Sequence, residues 1–135
     1  MLAGLLLAGL ILSGCISQEN SATGMATLTA GSNEKVSFGL RVVNAEGEAV
    51  LQRYTVVEKG VNAFEAMKKL VPVEYTESTY GAFIKSINGL SPDAEHYWAL
   101  YVNGEYADKG ISSYSVDEAF EVEWRMESLS DFPTQ

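Results

Sequence analysis

The chain is short of the residues from which most chemical sites are built. It has one cysteine, one histidine, and 9 lysines and arginines against 18 aspartates and glutamates. A single cysteine makes no internal disulfide, and neither metal-ligand nor redox spacing can be assembled from it. The formal charge of −9 repels phosphate backbones, which argues against nucleic-acid binding. It also disfavours docking on anionic lipid by charge alone. The glycine loops that cradle phosphates and dinucleotides are missing, and so are EF-hand spacing and a nucleophile elbow. No internal repeat is visible. What remains is a chain of 135 residues, enough for one domain, with its acidic residues scattered as on a solvated surface.

Residues 1–14 read MLAGLLLAGLILSG, uncharged and almost wholly apolar. The run is shorter than the about 20 residues that span a bilayer and suits the h-region of a signal peptide. It ends in Leu12-Ser13-Gly14-Cys15, which resembles the lipobox of prokaryotic lipoproteins. That resemblance implies that Cys15 is lipidated and becomes the mature N-terminus. The protein would then be held on the cell membrane, facing the extracytoplasmic side. One departure is that no Lys or Arg precedes the apolar run. The bland alternative is a short buried or interfacial segment with an incidental cysteine. Residues 15–35, rich in Ser, Thr, Ala, Gly and Asn, read as a flexible tether.

Beyond the tether the hydrophobic pattern becomes periodic. Val36, Phe38, Leu40 and Val42 alternate, Asn44 to Gly47 is turn-like, and Ala49 to Val57 forms a second β run; together they predict a hairpin. Asn62 offers an N-cap with Glu65 three residues on, as in a capping box. Ala63, Ala66, Met67, Leu70 and Val71 follow at helical spacing, and Pro72 stops the helix. Short strands are expected at Val73–Tyr75 and Tyr80–Ile87. A hairpin of His96–Val102 with Glu105–Ala107 turns on Asn103-Gly104, because Asn-Gly suits a turn with two positive φ angles. Phe120, Val122, Trp124 and Met126 alternate with Glu121, Glu123, Arg125 and Glu127, one face core and one face wet. Residues 128–135 read as a polar tail. The order ββα followed by strands predicts an α+β, β-grasp-like roll with one short helix on a mostly antiparallel sheet. An open β-sandwich is the alternative.

The central stretch, Tyr80 to Gly104, reads as a sheet with a tyrosine-bearing face. Trp98, Leu100 and Val102 point one way, and Tyr97, Ala99 and Tyr101 the other. Trp98 and Trp124 share faces with aliphatic residues and are expected in the core. Tyrosine offers flat apolar area and a hydroxyl, which suits ligand recognition, so Tyr97 and Tyr101 are binding candidates, with Tyr80 and Asn103 beside them. The alternative for the two tyrosines is packing on a neighbouring strand or under a loop. Tyr75, Tyr106 and Tyr114 lie in or near loops that could frame the same surface.

These residues also carry a family resemblance. Tyr80-Gly81-Ala82-Phe83-Ile84-Lys85-Ser86-Ile87-Asn88-Gly89 and Tyr97-Trp98-Ala99-Leu100-Tyr101-Val102-Asn103-Gly104 resemble two runs of the transcobalamin C-terminal-like domain, also called DUF4430. The strand–glycine–helix segment Val56 to Leu70, Gly110-Ile111 and Val122-Glu123-Trp124 fit as well, so the resemblance covers residues 36–127. Asp117-Glu118-Ala119 stands where the family often has a Gly-Asp turn. In transcobalamin and intrinsic factor this domain is one of two that enclose cobalamin. The resemblance therefore implies binding of cobalamin or a related corrinoid.

The remaining chemistry is sparse. His96 is a conceivable metal or cobalt ligand, since neutral imidazole binds transition metals, but it lacks a cysteine or carboxylate cluster. Its plain reading is a polar residue at a strand start. The pairs Asp93/Glu95 and Asp117/Glu118 lie in predicted loops and read as solvated. Nothing marks a catalytic group, so no enzymatic activity and no bound metal or cofactor is expected, a corrinoid being a ligand. The expected function is a lipid-anchored extracytoplasmic binding domain. A cell-surface module that engages a protein partner through its acidic faces or a sheet edge is the alternative.

Overall fold

The structure, a computed structural model, describes residues 33–133. The apolar run, Cys15 and most of the tether lie outside the described residues. Strand β1 spans Lys35–Val43 and β2 spans Ala49–Glu58; they form the expected antiparallel hairpin, in register from Lys35↔Glu58. Glu34, assigned above to the tether, already belongs to this hairpin. Its carbonyl accepts from the Lys59 N–H (2.8 Å), and its carboxylate pairs with Lys59 Nζ (3.0 Å).

A short β3, Val61–Asn62, leads into α1, Ala63–Leu70. Asn62 caps it: its Oδ1 accepts from Phe64 N (3.0 Å) and Glu65 N (3.4 Å). The reciprocal half of the capping box is not made, because the Glu65 carboxylate pairs with Lys68 (2.7 Å). Ala63, Phe64, Ala66 and Met67 are buried, so Phe64 joins the apolar stripe and Leu70 sits at its margin. Val71 ends the helix one residue before Pro72.

The remaining strands are β4 (Val73–Ser78), β5 (Gly81–Ile87), β6 (His96–Val102), β7 (Glu105–Tyr106), β8 (Ser115–Val116) and β9 (Phe120–Ser128). The main sheet has the order β2-β1-β9-β6-β7. The final strand inserts parallel to β1, and β6 runs antiparallel to β9 on its other side. This is the expected α+β arrangement: a mixed, mostly antiparallel open sheet with one α-helix among the described residues. The parallel register sets Phe38 beside Phe120, Leu40 beside Val122 and Val42 beside Trp124. These six side chains are all buried and meet Met67 and Phe64 of the helix in one core.

The central stretch does not form one sheet. β5 pairs with β4 in a separate two-stranded ribbon, from Val73↔Ile87 to Ser78↔Gly81, while β6 joins the main sheet. Asn88 and Gly89 both take positive φ (51° and 81°) and close a tight turn that bridges only Ile87 and Leu90. The chain then passes through Pro92 before β6 begins, so β5 and β6 face each other unpaired. Asn103 and Gly104 (φ 50° and 84°) turn β6 into β7 as expected.

Candidate functional site

The gap between β5 and β6 is an open cleft of about 570 Å³. β7 pairs only with Tyr101 and Val102, and Ala107 N–H donates to Leu100 O (2.9 Å). The rest of the outer edge of β6 therefore faces the cleft. Trp98, Leu100, Trp124, Ile84 and Ile111 give it apolar surface. Phe83, Pro92, Tyr97, Tyr106 and Phe132 border it, and Asp93, His96, Lys85 and Lys109 bring polar groups.

The two tryptophans differ in a way the alternation pattern cannot show. Their rings meet edge to face, 6.5 Å apart. Trp124 is 5% exposed and its Nε1–H reaches Met67 Sδ (3.3 Å). Trp98 is only partly buried, not the full core residue expected, and its Nε1 is buried with no hydrogen-bond partner. A buried donor without an acceptor costs about 1–3 kcal/mol. Here that donor belongs to a residue lining the cleft.

Tyr97 and Tyr101 are brought together at Glu127, but of the four predicted site residues only one lines the cleft. Tyr97 borders the cleft, where its ring packs edge-on against Phe132 (4.9 Å). Its hydroxyl donates to Glu127 Oε2 (3.1 Å), and Tyr101 donates to Glu127 Oε1 (2.6 Å). Both phenols are held above their usual range. For Tyr97 burial is the main cause, then Tyr106 and Glu127; for Tyr101 it is the Glu127 bond, then burial. Tyr101 also carries the Arg125 guanidinium over its ring (4.0 Å) and packs against Tyr106 (5.5 Å). The two tyrosines are thus tied to the neighbouring strand β9, the packing alternative raised above. Asn103 is committed to its turn, with Oδ1 accepting from Glu121 N (2.8 Å). Tyr80, 91% exposed, sits in the β4–β5 turn.

Sequence reading placed Tyr106 among the residues that could frame the tyrosine face, but missed Phe83, Phe132 and the indole of Trp98 as parts of one surface. Phe132 lies in the segment read as a polar tail. That segment turns back through a short 3₁₀ helix, Leu129–Asp131, and Leu129 N–H donates to Glu95 O (2.8 Å). At the same end of β6, Asp93 Oδ1 meets His96 Nδ1 at 2.6 Å and also accepts from Glu95 N (2.9 Å). The bond to His96, and next the one from Glu95, holds the Asp93 carboxyl below its usual range. Among the described residues no group of three His, Cys, Asp or Glu side chains could hold a metal ion.

Fold and cleft together define a small α+β roll whose free inner sheet edge borders an open aromatic trough. The chain belongs to the DUF4430 family, described as a domain of unknown function, which it matches over residues 60–128. The fold is similar to that of haptocorrin, solved in complex with Cbi. The TM-score is 0.57 at 22% identity, over 72% of this chain and 26% of haptocorrin; the chain thus spans about a quarter of that protein. It is also similar to a protein from Ruminococcus gnavus to which metal binding has been attributed. There the TM-score is 0.51 at 15% identity, over 69% of this chain and 97% of that one. No curated protein matches the chain in sequence.

Proposed function

We propose that this domain binds a flat, polar-rimmed ligand of the corrinoid class in the β5–β6 cleft and performs no catalysis. The observation that carries the reading is the open cleft of about 570 Å³, walled by Tyr97, Trp98, Tyr106 and Phe132. Flat aromatic walls suit the face of a macrocycle, and Lys85, Asp93, His96 and Lys109 offer polar groups to the amides that rim a corrinoid. Aromatic side chains with a few polar groups are the usual lining of small-molecule sites. The fold shared with haptocorrin supports the choice of ligand class. We infer in addition that the domain works at the cell surface, tethered through lipidated Cys15.

The test is titration of the full chain with cobalamin and with cobinamide, followed by calorimetry and visible absorbance. Saturable binding is expected, and Trp98→Ala, which removes one aromatic wall, should weaken it by up to about tenfold. No heat and no retained pigment at millimolar ligand would overturn the reading. Membrane fractionation tests the anchor: Cys15→Ser should release the protein. A protein-interaction role has one observation in its favour. Val50, Tyr54 and Val56 are exposed on β2, an edge strand of the main sheet.

A further inference from the structure

The Asp93–His96 pair stands at one end of the cleft. The Asp93 carboxylate only accepts, so the 2.6 Å contact makes His96 Nδ1 the donor. The proton is thereby placed on Nδ1, and the lone pair is left on Nε2. The carboxylate is itself fixed by the Glu95 N–H (2.9 Å), and the His96 N–H leans on the Asp93 carbonyl (3.4 Å). The imidazole is thus held at Nδ1 by a carboxylate that is itself fixed. A carboxylate behind a histidine is the usual support of a metal-binding imidazole: it fixes tautomer and ring orientation and raises basicity at the far nitrogen. His96 is 22% exposed, lines the cleft, and its Nε2 has no partner among the described residues.

One imidazole is a poor site for a bare ion, which needs three or four protein ligands, and no such group is present among the described residues. It suffices for a metal that arrives with its equatorial positions already filled by a planar macrocycle and needs a single axial donor. We propose that His96 Nε2 is the axial ligand to the cobalt of a corrinoid seated in the cleft. This rests on the ligand class proposed above and adds to it. It predicts that the protein favours corrinoids whose axial position is open over those that fill it with a base of their own.

The experiment uses the full chain and diaquocobinamide, read by visible absorbance. Imidazole nitrogen replacing an axial water shifts the absorption band. The shift is expected with the native chain and not with His96→Gln, which still retains pigment through the rest of the cleft. His96→Ala should likewise lose the shift. Asp93→Asn should keep the shift but weaken binding by about 10-fold or more. Cobalt(II) or zinc(II) alone should bind neither protein measurably. Pigment retained by the native chain without a band shift, or an equal shift in His96→Gln, overturns the axial role and leaves the cleft reading standing. No pigment retained by the native chain removes both. Circular dichroism of each variant, matched to the native spectrum, excludes misfolding as the cause.

Discussion

At the scale of single residues, the contrast between Trp98 and Trp124 is the sharpest feature of the domain. Both rings contribute apolar contact, but only Trp124 has its indole N–H satisfied. Replacing Trp98 by Phe removes some contact area and also removes a buried, unpaired donor, so the two effects oppose each other. Trp124→Phe removes contact and a satisfied bond, so both effects act in one direction. Trp98→Phe should therefore change stability by less than about 1 kcal/mol and Trp124→Phe should cost roughly 2 kcal/mol, compared by urea denaturation midpoints. A reversed order would mean that Trp98 has an acceptor. The tyrosines make a second prediction, in pH. Tyr97 and Tyr101 are held above the ordinary value of 10.0, so the folded state is favoured while they are protonated. Their contribution is complete below about pH 10, the unfolded value, and is lost as pH rises through the higher folded values. Stability should fall steeply above about pH 10, and the Tyr97→Phe, Tyr101→Phe double variant should show a shallower alkaline limb. An unchanged limb in that variant would separate the phenols from alkaline unfolding.

At the scale of elements, Asn62 does two jobs. Its Oδ1 caps α1, and its Nδ2 donates to Ser112 O (2.7 Å), tying the helix start to the 3₁₀ turn Ile111–Ser113. Asn62→Ala loses both, and should cost about 2 kcal/mol, where an N-cap alone costs about 1. Asn62→Ser can keep the cap and lose the tie, and should fall between the two in thermal midpoint. The cap was legible in sequence because it is local, three residues of geometry. The tie was not, since Ser112 lies 50 positions away. The same division runs through the whole fold. Alternation located β1, β6 and β9, because each strand's period is written in its own residues, and β-branched residues marked β2. The choice of partner is not so written. β5 carries the same kind of pattern as β6, yet β4 takes its hydrogen bonds. The cleft exists because of that choice, so its lining could not be assembled from spacing. Tyr97 and Tyr101 were rightly placed on one face, but Glu127, 26 and 30 positions away, decides what their hydroxyls do.

At the scale of the whole molecule, the cleft is bordered by segments from the middle and the C-terminal end of the family region and from just beyond it. β5 stands on one side and β6 on the other. The segment after β9 crosses back to set Phe132 on Tyr97, anchored by the Leu129–Glu95 bond. That bond also reaches the loop holding Asp93, since Glu95 N–H donates to the Asp93 carboxylate. The last described residues therefore steady both the aromatic rim and the Asp93–His96 pair. A chain ending at Ser128 keeps β9 whole and loses only this return segment. It should remain folded, destabilised by roughly 1–2 kcal/mol for one hydrogen bond and one aromatic contact. Retention of a corrinoid should drop, because the rim and the imidazole are loosened together. Calorimetry of this truncated chain beside Phe132→Ala separates the two contributions. If Phe132→Ala reproduces the full loss, the rim alone matters. If it reproduces only part, the Glu95 anchor transmits the rest through Asp93 to His96. Binding unchanged in both would mean that the return segment is packing for Tyr97 and has no part in the cleft's function.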